Sequence, residues 1–302
     1  MTKQDLRIVF MGTPDFAVES LKALVEGGYN VVACVTMPDK QAGRGHHLIT
    51  SPVKDYALSQ EIPVLQPEKL KSEEFLSQLS ALNAQLFIVV AFRMLPEVVW
   101  SMPRLGTFNL HASLLPRYRG AAPINWAVIN GEKETGVTTF FLKHEIDTGD
   151  LILQEKIAIG EEENVGSVHD RLMTLGAALV TRTVDMIIDA ENTGHSVPAT
   201  PQSEDSCPAP KIFKETCEID LTKTALEVKN FVRGLSPYPG AWTNLKVGNQ
   251  IFENTKIFEV RIAEKPSALS LKASDGYLDI LQLQVPGKKR LNAKDFLNGL
   301  NH

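Results

Sequence analysis

The chain has 302 residues, 43% of them hydrophobic and 22% charged, with a net charge of −5 at neutral pH. That length exceeds one ordinary domain, and the composition is that of a soluble globular protein with a real core, so two domains are expected. The acidic balance excludes a surface coated for nucleic acid, and the longest apolar stretches, such as Leu86 to Phe92, are too short to span a bilayer.

Leu6 to Met11 is an apolar run read as a strand, ending at Gly12-Thr13-Pro14-Asp15. Phe16, Leu21, Leu24 and Val25 then fall at helical spacing until Gly27-Gly28 stops the helix, and Val31 to Val35 is the next strand. Ile62 to Leu65 and Leu86 to Val90 repeat the plan, with helices near 52–60 and 73–82 between them. Short β-rich runs alternating with helices make βαβ units, so the fold class is α/β with a mostly parallel, two-sided sheet. The turn at Gly12 invites a dinucleotide reading, but G-T-P-D-F-A lacks the second and third glycines of that fingerprint, which disfavours a nicotinamide cofactor.

Further on, Gly136 to Leu142 and Leu151 to Ile159 read as strands flanking a loop that holds Asp147-Thr148-Gly149-Asp150, and Val165 to Ala190 as a long helix. Residues 191–209 break the pattern with prolines among Ser, Thr, Asp and Gly, the composition of a linker. After it come a helix near 222–234 and alternating segments at 241–247, 251–262, 268–272 and 277–284, which predict a small β-rich barrel or sandwich. The expected division is 1–190, a linker at 191–209, and 210–302. Residues 207–302 carry 14 Lys or Arg against 10 Asp or Glu, whereas 1–206 carry 17 against 26. A basic module beside an acidic one permits a polyanionic partner; ordinary surface scatter gives the same surplus.

The three cysteines, Cys34, Cys207 and Cys217, cannot all pair and form no CxxC, and the opening Met1-Thr2-Lys3-Gln4-Asp5 has no basic n-region followed by an apolar stretch. A reduced, cytoplasmic setting is expected. The histidines show no metal-ligand spacing such as HExxH, so no metal is expected either.

The chemistry is read at Asn109-Leu110-His111-Ala112-Ser113-Leu114. An amide and an imidazole two residues apart at a strand end share one face, and the loop at Asp147 offers a carboxylate. An amide, a base and an acid are the parts needed to move an acyl group. Alone, each has a structural alternative: Asn-x-His can be an ordinary strand end, and Asp147 to Asp150 a simple Asp/Gly turn. Arg117, Arg119 and the basic turn Lys288-Lys289-Arg290 fit either solvated surface or contact with an anion.

At Asn109-x-His111, Ser113-Leu114-Leu115-Pro116, Tyr118-Arg119-Gly120-Ala121-Ala122-Pro123-Ile124 and Asp147-Thr148-Gly149-Asp150, the chain resembles the formyltransferases that use 10-formyltetrahydrofolate. The opening Ile8 to Pro14, the loop Pro38 to Gly45 and Arg233 to Trp242 extend the resemblance over nearly the whole chain. It implies a Rossmann-like N-terminal domain, a linker and an OB-like β-barrel. Asn109, His111 and Asp147 match the family's catalytic trio, and Ser113, Leu114, Leu115 and Pro116 its folate-binding segment. Within the family, the loop holding Lys40, Gly43, Arg44 and Gly45 and the C-terminal module imply that the acceptor is initiator methionyl-tRNA, with Arg44 approaching its acceptor end. Glycines flanking Arg44 let the backbone lie close to a large ligand, while His46-His47 replace expected lysines and make the loop less cationic. The resemblance further implies 10-formyltetrahydrofolate as co-substrate; nothing in the sequence suggests an obligate dimer, so a monomer with no membrane partner is expected.

In this scheme the unprotonated amine attacks the formyl carbon and an oxyanion develops. Asn109 donates to it, His111 takes the amine's proton or stabilises the oxyanion, and Asp147 orients the imidazole. Two other readings stay open: formyl transfer to another amine, such as an amino sugar nucleotide or glycinamide ribonucleotide, and a non-catalytic RNA-binding protein on a relic enzyme fold.

Overall fold

The computed structural model describes residues 1–42 and 47–300. In chain order, β1 (Arg7–Gly12), α1 (Asp15–Glu26), β2 (Asn30–Val35), β3 (Lys40–Ala42), β4 (His47–Ile49), α2 (Pro52–Ser59), β5 (Val64–Leu65) and α3 (Glu73–Ala81) come first. They are followed by β6 (Leu86–Val90), α4 (Glu97–Trp100), β7 (Thr107–His111), β8 (Arg119–Gly120), α5 (Pro123–Ile129), β9 (Glu134–Phe141), β10 (Leu151–Ala158) and α6 (Val165–Thr193). The remainder holds β11 (Pro208–Ala209), a short 3₁₀ turn (Glu215–Cys217), α7 (Ala225–Gly234), β12 (Ala241–Val247), β13 (Gln250–Ala263), β14 (Ser270–Lys272), β15 (Tyr277–Gln284), β16 (Leu291–Asn292) and α8 (Ala293–Leu300).

The chain divides into two compact units: Met1–Arg119, Gly136–Lys156 and Asp170–Cys207 form the first, and Gly120–Thr135, Ile157–His169 and Pro208–His302 the second. The first is built on a seven-stranded sheet in the order β10-β9-β7-β6-β1-β2-β5. β1 pairs parallel with β2 and β6, β2 with β5 and β6 with β7, while β7 meets β9 antiparallel. The α/β expectation is borne out. The unbroken apolar runs follow from burial on both faces: Ile8, Val9, Phe10 and Met11 are all fully buried, and so is nearly all of β6. Val9 and Met11 join Phe75, Leu79, Phe87 and Val89 in one core, so the alternating Ile8 and Phe10 face the other side.

Local sequence sets the element ends. Gly27 and Gly28, the latter at φ 76°, terminate α1, and Ser51 caps α2 by accepting from the Lys54 N–H ahead of a proline at the first helical turn. From β1 the chain runs outward to β2 and β5, then returns to the other side of β1 for β6 and β7. That reversal puts a topological switch at the carboxyl ends of β1 and β6, where open α/β sheets bind ligands. β7, which ends in His111, is the next strand along.

In the second unit β12, β13, β15 and β14 form an antiparallel sheet, with β16 paired to β15. Register shifts between Thr243 and Leu245 and around Glu259 mark bulges, which bend strands and curl this sheet into a half-barrel. Val228 and Val232 of α7 pack into its core with Leu245, Ile257, Leu278 and Leu283. α7 starts at Ala225 rather than near 222, because Thr224 and Glu227 form a capping box that fixes its first turn. The short helices α4, α5 and α8 were not expected from periodicity. No described helix is long and apolar enough to cross a membrane.

Candidate active site

β7 places Asn109 opposite Val89 of β6 and Phe140 of β9, and His111 opposite Thr138. The two side chains therefore share a face of the sheet, as the spacing predicts. His111 is buried and Asn109 half-buried. The Asn109 Oδ1 is buried and has no hydrogen-bond partner among the described residues, a polar atom whose desolvation none of them offsets.

Nε2 of His111 lies 2.8 Å from the Tyr118 carbonyl oxygen. A carbonyl only accepts, so Nε2 carries the hydrogen and donates, and the neutral ring keeps its lone pair on Nδ1. That Nδ1 is 3.9 Å from Oδ2 of Asp147, and both side chains are about nine-tenths buried. The distance is beyond a hydrogen bond and within ion-pair reach, so a proton arriving on Nδ1 meets a carboxylate across a short, poorly hydrated gap. The imidazole is oriented by the Tyr118 carbonyl, a group the side-chain pattern does not reveal; Asp147 faces the other nitrogen.

Both partners of the imidazole sit on unusual backbone. Tyr118 is at φ 62°, a strained conformation for an aromatic residue, and its N–H is fixed by the Cys207 carbonyl at 2.5 Å. Asp147 is at φ 56°, which aspartate tolerates better. Gly149 is required where it stands: a Cβ there would collide with the Phe141 carbonyl. Asp150 is turn chemistry, with Oδ1 paired to Lys143 at 2.7 Å and its carbonyl accepting from the Phe141 N–H.

The Ser113–Pro116 loop is held from beneath by two side chains that the sequence did not flag. The Thr138 hydroxyl donates to the Ser113 carbonyl and accepts from the Leu115 N–H and from Gln154 Nε2, which also donates to the Leu115 carbonyl at 2.8 Å. Ser113 Oγ donates to the Arg117 carbonyl at 2.7 Å. The Arg119 guanidinium is committed to Gln202, at 2.7 Å from Nη2. Arg290 lies over the Phe258 ring, 3.5 Å from its centroid.

Of the loop residues read as RNA contacts, Gly43, Arg44 and Gly45 lie outside the described residues. Lys40 is exposed on β3, which pairs with β4 as a hairpin. Its base is tied by Asp39, which accepts from Lys54 at 2.5 Å and from Gln66 at 2.7 Å. These bonds, that from Lys54 foremost, hold the Asp39 carboxyl below its ordinary value. Among the described residues no three His, Cys, Asp or Glu side chains gather as a metal site.

Asn109, His111, Asp147 and the residues that hold them all belong to the first unit. A family model described as formyl transferase matches residues 6–184, and one described as formyl transferase, C-terminal domain, matches residues 211–301. The methionyl-tRNA formyltransferase of Bacteroides fragilis is 57% identical over 319 residues, covering 100% of this chain and 97% of its own length. The chain belongs to the methionyl-tRNA formyltransferase family. It transfers a formyl group to methionyl-tRNA, and the resemblance drawn from the motifs is borne out. The methionyl-tRNA formyltransferase of Flavobacterium johnsoniae, at 50% identity, covers 98% of this chain and 97% of its own.

Among solved structures, an N-formyltransferase from Helicobacter canadensis, in complex with folinic acid and dTDP-3-aminofucose, superposes with a TM-score of 0.65 at 19% identity over 92% of this chain and 100% of its own. HypX from Aquifex aeolicus in complex with tetrahydrofolic acid gives 0.64 at 18% identity over 97% of this chain. This chain spans 47% of HypX, and likeness at such identity speaks for the fold alone.

Proposed function

We propose that Asn109, His111 and Asp147 carry the formyl transfer from 10-formyltetrahydrofolate, and that Ser113, Leu114, Leu115 and Pro116 bind the folate. One observation carries this reading: His111 is locked by a backbone carbonyl on Nε2 and faces a buried carboxylate from Nδ1. A ring held in that way is a base awaiting a proton. Nδ1 takes the proton that the methionyl amine sheds as it attacks the formyl carbon, and Asp147 stabilises the resulting imidazolium; the tetrahedral intermediate then collapses with cleavage of the formyl C–N10 bond, and the imidazolium returns its proton to the departing N10 of tetrahydrofolate.

Asn109 supplies the amide. Its Nδ2 donates to the oxygen on which charge develops. The 113–116 loop fits a folate ligand because Thr138 and Gln154 absorb its inward polar groups and fix its outer surface. Lys40, Gly43, Arg44 and Gly45 contact the acceptor end of the initiator tRNA.

The matches at 6–184 and 211–301 support a division into a catalytic region at 1–190, a linker at 191–209 and a second region at 210–302, which we assign to tRNA binding. The protein works as a monomer in the cytoplasm, a setting that its three free cysteines suit. It supplies formylmethionyl-tRNA for translation initiation.

The test is formyl transfer by His111→Ala and Asp147→Asn to charged initiator tRNA, with a nucleotide-linked amino sugar as second acceptor. Both variants should stay folded and lose at least about 100-fold in kcat, the usual share of a positioned acid–base group. Near-normal turnover by His111→Ala would remove the imidazole from the mechanism. Formyl appearing on the sugar alone would remove tRNA as the acceptor.

A further inference from the structure

Gln202 lies in the segment after α6, and its carboxamide is engaged at both ends. Nε2 donates to the Asp147 carbonyl and to the Gly149 carbonyl, each at 2.8 Å. Oε1 accepts from Arg119 Nη2 at 2.7 Å and Nε at 3.1 Å. Around it, Thr200 exchanges two backbone hydrogen bonds with Leu151, at 2.8 and 2.9 Å, and the Cys207 carbonyl holds the Tyr118 N–H. This stretch therefore grips both loops whose separation sets the gap between Nδ1 of His111 and the Asp147 carboxylate: the Tyr118–Arg119 end, which fixes the ring, and the Asp147–Gly149 end.

We propose that Gln202, anchored by Arg119, is a positioning residue that sets the placement of Asp147 against His111; this rests on the catalytic roles proposed above. The chemistry suits a glutamine. Two carbonyls on one tight loop call for two donors from one atom, and a carboxamide nitrogen has two N–H groups. The Arg119 fork holds the carboxamide oxygen and so fixes which end of the amide turns toward the loop. Because Gln202 grips the backbone of Asp147 and is itself neutral, it does not compete with the imidazole for the carboxylate. Gln202 acts on turnover without touching either substrate.

The experiment measures steady-state formyl transfer by the full chain carrying Gln202→Leu or Gln202→Glu, each alone and in an Asp147→Asn background, alongside thermal unfolding. Gln202→Leu should lower kcat about 10- to 100-fold while KM for methionyl-tRNA and for the folate stays within about 2-fold. Gln202→Glu keeps an acceptor for Arg119 but turns a carboxylate oxygen against two carbonyls, so it should lose as much. In the Asp147→Asn background Gln202→Leu should change kcat by less than about 2-fold, because its effect runs through that carboxylate. A merely structural role would cost both backgrounds alike, and that result, or a normal kcat in both single variants, overturns the proposal. Full activity in Asp147→Asn itself overturns the catalytic assignment, and the positioning role with it.

Discussion

The Thr138 hydroxyl donates a 2.6 Å hydrogen bond to the carbonyl of Ser113, from beneath the loop that follows His111. Thr138 is fully buried, and its single proton and two lone pairs are all used, by Ser113, Leu115 and Gln154. Thr138→Val keeps the shape and the β-branched strand preference but leaves those partners with unmet hydrogen bonds, a loss of about 1–3 kcal/mol. Denaturant unfolding should show that loss. KM for the folate should rise several-fold with kcat nearly unchanged, since the loop shifts while the trio stays on β7 and its neighbours. A folate KM equal to that of the parent would mean the loop does not form the folate's seat.

Asn109 should trade stability for activity. Its Oδ1 is buried without a partner among the described residues, so Asn109→Leu removes a desolvated acceptor and adds apolar packing. The melting temperature should hold or rise, whereas kcat should fall about 100- to 1,000-fold, the scale of one missing oxyanion donor. A variant that is both less stable and still active would assign Asn109 to the fold.

The sheet was legible because parallel strands are buried on both faces, and Ile8 to Met11 and Leu86 to Val90 announce that by being apolar throughout. The candidate site was legible because a period of two puts Asn109 and His111 on one face, and because Asp147-Thr148-Gly149-Asp150 carries the family resemblance. What escaped was the support beneath it. The Tyr118 carbonyl is a backbone atom that every residue possesses, and only a folded chain shows that it meets His111. Thr138 and Gln154 sit in strands as ordinary polar residues. Gln202 lies among prolines, serines and threonines, where composition reads the same for a loose tether as for a segment tied at Thr200, Gln202 and Cys207.

Arg44→Ala and Lys40→Ala should separate the two substrates. Each removes one cation from the stretch 40–45, so KM for methionyl-tRNA should rise and its logarithmic dependence on salt should flatten by about 1 for every phosphate no longer neutralised. Folate binding, measured by separate titration, should not move. An unaltered salt slope in both variants would detach this loop from the phosphate backbone.

Asp39 ties the base of the same hairpin, and its titration gives that tie a pH range. Hydrogen bonds from Lys54 and Gln66 hold its carboxyl below the ordinary 3.8. The charged form is therefore favoured in the fold, and its contribution is complete above that value and lost as the pH falls through the depressed one. Between mildly acidic and mildly alkaline pH the tie should not titrate at all, so tRNA KM should carry no pH dependence from it. Asp39→Asn keeps the shape but replaces an ion pair by a neutral acceptor. It should raise tRNA KM across that whole range, with folate KM unchanged and the melting temperature little altered. A tRNA KM that matches the parent at every pH would show that the hairpin holds its place without Asp39.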